Sequence, residues 1–107
     1  MALTISLEND KGKQIDAIYD IHDILYISIL RSQQSGAELR PLPLLAMIDP
    51  YNDARFSLAQ MPDLQSELLE LRNFTKGTEE EQLLLSVLNM VEKCQMDQHD
   101  HIMTYGD

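Results

Sequence analysis

An α+β fold is predicted, on three observations. Residues 2–8 and 13–19 alternate apolar with polar side chains, the period of half-buried strands. Two later segments repeat leucine at three- and four-residue spacing, the period of amphipathic helices. Turn and cap residues stand between these runs. The expected architecture is an N-terminal β-hairpin and a C-terminal strand in a small antiparallel or mixed sheet. About three helices pack on it, in one domain over residues 1–107.

The elements follow in order. Leu3, Ile5 and Leu7 alternate with Thr4 and Ser6. Asn9-Asp10-Lys11-Gly12 is turn chemistry, and Ile15, Ala17 and Tyr19 resume the alternation. Asp20 is placed to cap a helix through its carboxylate, with Asp23 in the favourable first turn. A helix over about 21–33 is expected from its length, its Asp start and Gly36 beyond its end. The β-branched content of IHDILYISIL leaves a strand as the competing reading. Apolar on most sides, such a helix would be buried centrally.

Pro41 and Pro43 forbid helix, so Leu44–Ile48 is expected as a short strand or extended run. Asp49-Pro50-Tyr51-Asn52-Asp53 is a turn, with Pro at its second position, and residues 55–58 can form another short extended piece. Pro62 and Asp63 open a helix whose core face is Leu64, Leu68 and Leu71, with Glu67 and Glu70 toward solvent. Thr75-Lys76-Gly77 ends it. Thr78 and Glu81 have capping-box spacing before a helix over about 79–95 that carries Leu84, Val87, Leu88 and Val91. His101–Tyr105 returns as the closing strand.

Composition narrows the function classes. The 18 acidic and 8 basic side chains leave a formal charge of −10. That disfavours nucleic acid and anionic membranes, both of which are bound through Lys and Arg. It favours solubility and fast encounter with a basic protein. No run approaches the length of a bilayer span, and the N-terminal residues lack a signal-peptide pattern, so the expected location is the cytoplasm. The single cysteine, Cys94, is expected as a buried apolar residue of the last helix.

Three constellations bear on chemistry. Asp97, His99, Asp100 and His101 are a dense group of nitrogen and oxygen ligands, but a strand splits them between faces, and the expectation is a polar loop without bound metal or other cofactor. The carboxylate pairs Asp49 with Asp53 and Asp20 with Asp23 are of a kind that acidic chains offer by chance. No phosphate-binding loop, Cys-x-x-Cys or nucleophile elbow is present, and no catalytic residue is assigned. The third group is Asp49, Tyr51, Asp53 and Arg55, which an extended chain would place on one side. Tyrosine offers rigid contact area, arginine a bidentate fork, and the carboxylates an attraction for a basic partner. The plainer reading is that Asp49 closes the turn and Arg55 pairs with Asp53.

The segment PLLAMIDPYNDARFSLAQMPDLQSELLEL resembles a recurrent pattern in small bacterial proteins. Its marks are Pro43-Leu44-Leu45, Ile48-Asp49-Pro50-Tyr51-Asn52-Asp53, Phe56, Gln60-Met61 and Glu67-Leu68, followed by a Cys-bearing helix and a closing Gly106-Asp107. Asn52 and Ala54 depart from the pattern, where Gly and Thr are common. In size and acidity such proteins are similar to immunity proteins that neutralise bacterial toxins. The resemblance implies a non-catalytic cytoplasmic protein that occludes the active site of a cognate toxin, and the turn group Asp49, Tyr51, Asp53 and Arg55 described above supplies its candidate contacts. The alternatives are a DNA-mimic inhibitor of a nuclease, or a metal-binding protein using Asp97–His101.

Overall fold

The computed structural model describes residues 3–34, 42–75, 77–96 and 101–106. The fold is α+β. Strands β1 (Leu3–Glu8) and β2 (Gln14–Asp20) form the N-terminal hairpin. They are followed by α1 (Ile24–Gln34), β3 (Ala54–Phe56), α2 (Met61–Leu71), α3 (Thr78–Met96) and β4 (His101–Gly106). Every strand pair is antiparallel and the order is β2-β1-β4-β3, so the closing strand sits inside the sheet.

Sequence parity decides the two faces of the sheet. Leu3, Ile5 and Leu7 of β1, Ile102 of β4 and Phe56 of β3 are all buried. They share one apolar cluster with Leu25 and Ile29 of α1, Leu64, Leu68 and Leu71 of α2, and Leu84, Val87, Val91 and Cys94 of α3. The three helices therefore cover the same face. Each such leucine contributes about 1.5–3 kcal/mol by leaving water. The opposite face, carrying Thr4, Ser6, Glu8, Arg55, Met103 and Tyr105, has no helix against it among the described residues.

Asp20 caps α1, but from the end of β2 and not from the residue before the helix. Its carboxylate accepts the Ile24 and Leu25 amides, each at 2.8 Å. Asp23 joins strand to helix at φ +52°, which delays the helix start to Ile24. The helix is not buried on all sides. Leu25, Ser28, Ile29 and Ser32 face inward, whereas Ile27 is half exposed. Ile24, Tyr26 and Leu30 are half-buried between these two sides.

Leu44–Ile48 is neither strand nor extended run. It is a 3-10 turn over Leu45–Met47, with the Leu44 carbonyl accepting the Met47 amide at 3.0 Å and the Leu45 carbonyl the Ile48 amide at 3.1 Å. The cause lies in α2. Glu67, expected in solvent, is buried, and its carboxylate accepts the Leu44 amide at 3.0 Å and the Leu45 amide at 2.9 Å. A charged acceptor thus satisfies the free amides at the start of the turn.

At α3, Gly77 takes the capping place: its carbonyl accepts the Glu81 amide at 3.4 Å, and Thr78 is already helical. The Glu81 carboxylate goes to Arg72 instead, at 3.1 Å. Arg31 of α1 pairs with Glu80 and also donates to the Phe74 carbonyl at 3.1 Å, tying α1 to the α2–α3 connection.

Candidate protein-binding surface

The Asp49–Asp53 segment is a rigid turn. Ile48 is anchored in the core just before it. The Asp49 carboxylate accepts the Tyr51 amide at 2.8 Å and the Asn52 side-chain amide at 3.0 Å. Asp49 and Asn52 also form a backbone bridge across Pro50 and Tyr51. The far side is fixed by β4, where the Gly106 amide donates to the Asn52 carbonyl at 3.2 Å.

This turn separates the four residues that an extended chain would align. Asp49 folds back on its own backbone. Tyr51 projects from the tip and is 70% exposed. Asp53 and Arg55 follow on the outgoing chain, both exposed. Arg55 sits between buried Ala54 and Phe56, so it belongs to the helix-free face. No ion pair joins Arg55 to Asp53 among the described residues. Asp49 is thus the turn-former, and Tyr51, Asp53 and Arg55 are the side chains left free to touch another molecule.

Next to Arg55 the same face holds a buried polar group. Glu8 of β1 stands directly opposite His101 of β4. His101 Nε2 lies 3.4 Å from Glu8 Oε1, and the Tyr105 hydroxyl donates to Glu8 Oε2. That hydrogen bond to a carboxylate pushes the Tyr105 phenol up to about 12, with burial and the charges of Glu8 and Asp53 adding to it. The hydrogen bond ties the two central strands, β1 and β4, to each other. Sequence reasoning missed Glu8, although Thr4, Ser6 and Glu8 share a parity that strand alternation assigns to one face.

Of the Asp97–His101 group only His101 belongs to the described residues, and residues 97–100 lie outside them. Among the described residues no group of three or more His, Cys, Asp or Glu side chains is arranged to hold a metal ion. Cys94 is buried in α3.

Many acids are engaged within the fold. Asp20 and Glu67 cap backbone amides, Glu80 and Glu81 pair with Arg31 and Arg72, and Asp16 meets Lys93 at 3.0 Å. The Lys93 hydrogen bond holds the Asp16 carboxyl below its ordinary value. Among the described residues no helix is long and apolar enough to cross a membrane. The chain matches no protein-family model, no curated protein and no solved structure.

Proposed function

We propose that this chain is a non-catalytic, stoichiometric protein-binding protein of the cytoplasm, and that it neutralises a basic bacterial toxin by occluding the toxin's active site. The observation that carries this reading is the Asp49–Arg55 segment. Its backbone is pinned at Ile48, within the turn and at Gly106, while Tyr51, Asp53 and Arg55 project outward. A preordered backbone that presents an exposed tyrosine and arginine loses little entropy on binding, and these two residue types recur as interface anchors. The charge of −10 supports a basic partner through fast, salt-sensitive encounter.

A DNA-mimic mechanism is less well supported, because it calls for carboxylates set in solvent-facing rows. Here Asp20 and Glu67 cap backbone amides, and Glu80 is held by Arg31.

The test is co-expression with a toxin encoded beside this chain, together with calorimetry on the purified pair. The chain protects the cell and binds with fixed stoichiometry. Tyr51→Ala with Arg55→Ala weakens binding at least about tenfold, equivalent to about 1.4 kcal/mol, without lowering stability. Absence of both protection and binding removes the reading.

A further inference from the structure

Strand β2 ends the sheet at the edge opposite β3, and among the described residues β1 is its one sheet neighbour. It is seven residues long, contains no proline and leaves Ile15 and Tyr19 exposed. Such an edge presents unpaired amides and carbonyls to any extended chain that reaches it. One side chain stands in the way. The Asp16 carboxylate accepts the Ala17 amide at 2.9 Å, and its second oxygen is held by Lys93 of α3 at 3.0 Å. Ala17 is the midpoint of the strand.

We propose that the outer edge of β2 seats β2 of a second copy of this chain, antiparallel about a two-fold axis at an outward-facing Ala17 amide, with Asp16 as the latch that limits the pairing. A second copy brings a strand that is already extended, whereas a free peptide must first be ordered. The match is self-complementary. An axis at the midpoint sets Gln14–Asp20 of one copy against the same residues of the other and keeps both helix layers on one side of the joined sheet. The carboxylates of the strand are already engaged, Asp16 by Lys93 and Asp20 by the Ile24 and Leu25 amides, so β2 meets its copy without a free charge. The charge of −10 on each whole chain opposes the pairing, so the dimer is weak and gains from salt, which screens that repulsion. The order β2-β1-β4-β3 puts this edge across the sheet from the Asp49–Arg55 turn, so a pair of chains presents both turns unobstructed.

Sedimentation equilibrium of the full chain at low and high salt tests this. Asp16→Ala and Asp16→Asn remove the same charge, but only asparagine keeps an acceptor for the Ala17 amide. Asp16→Ala dimerises at least about tenfold more tightly than wild type or Asp16→Asn, and its dimer tightens as salt is raised. Adding Ala17→Lys to Asp16→Ala restores the monomer, because the axis sets the two lysines directly opposite each other. Ala17 is half-buried on the helix-free face, where a lysine can reach water, and circular dichroism matching wild type establishes that each variant is folded. In Asp16→Ala, hydrogen exchange of the Ala17 amide slows as protein concentration rises. A monomeric Asp16→Ala, an Asp16→Asn that dimerises as tightly, a dimer that survives Ala17→Lys or one that loosens with salt overturns the proposal. Exchange that slows only away from β2 overturns it as well.

Discussion

Gly106 and Asn52 meet backbone to backbone. The Gly106 amide donates to the Asn52 carbonyl at 3.2 Å, and a Cβ added at Gly106 would stand 2.5 Å from Asn52 N and 2.6 Å from Pro50 C. Both obstacles are main chain, which cannot swing aside as a side chain does. Gly106→Ala is therefore expected to destabilise the fold by about 1–3 kcal/mol, the usual range for overpacking. Thermal melting checks this. A chain of this size loses several degrees for each kcal/mol, and an unchanged midpoint would mean that the turn does not dock on β4.

Two carboxylates act as caps and can be compared directly. Glu67→Ala leaves the Leu44 and Leu45 amides without their acceptor. Asp20→Ala does the same to Ile24 and Leu25. Each is expected to cost about 1.5–3 kcal/mol, as for hydrogen bonds to charged groups. Glu67→Gln retains Oε1, which reaches both amides, and is expected to recover more than half of the loss. Denaturant titration reads these differences, and equal losses for Glu67→Ala and Glu67→Gln would contradict the capping role.

The pairing of Tyr105 with Glu8 gives an alkaline signature. The folded-state value of about 12 lies above the ordinary phenol value of 10. The protonated form is the one favoured by folding, so this contribution is fully present below about pH 10 and is lost as pH rises toward 12. Tyrosinate absorbance should show one of the four tyrosines titrating late, and Glu8→Gln should bring it back toward the ordinary range. A single unresolved transition near pH 10 in the folded wild type would count against the contact.

Thr104 is 1% exposed on the helix-covered face, and its hydroxyl has no hydrogen-bond partner among the described residues. It borders a void of only about 10 Å³ lined by Ile5, Phe56 and Val87. Valine has nearly the same shape and removes the unpaired oxygen. Thr104→Val is expected to stabilise by about 1 kcal/mol, read as a raised denaturation midpoint. A loss of stability would show that the hydroxyl is satisfied.

Local signals carried most of the elements. Alternation marked β1 and β2, leucine spacing marked α2 and α3, and Asp20 announced its helix. What the sequence did not disclose depends on partners far along the chain. Glu67 reaches amides 22 and 23 residues away, and Tyr105 reaches a carboxylate 97 residues away. Neither spacing has a local pattern. The turn at Leu45–Met47 has no local signature for the same reason, because its capping group comes from α2. At the candidate surface the residue types were visible in Asp49, Tyr51, Asp53 and Arg55, but their division into one turn-former and three outward side chains required the Asp49 hydrogen bonds.

The position of β4 has a kinetic consequence. Leu3 pairs with Gly106 and Glu8 with His101, so the central ladder joins segments separated by nearly the whole chain. The β1–β2 hairpin can form early from local contacts, but among the described residues β3 pairs with β4 alone. Closing so long a loop before its contacts are gained slows the search. On the ribosome, the hairpin and the helices emerge ahead of the strand that joins the two halves of the sheet, and cooperative folding waits until β4 has cleared the exit tunnel.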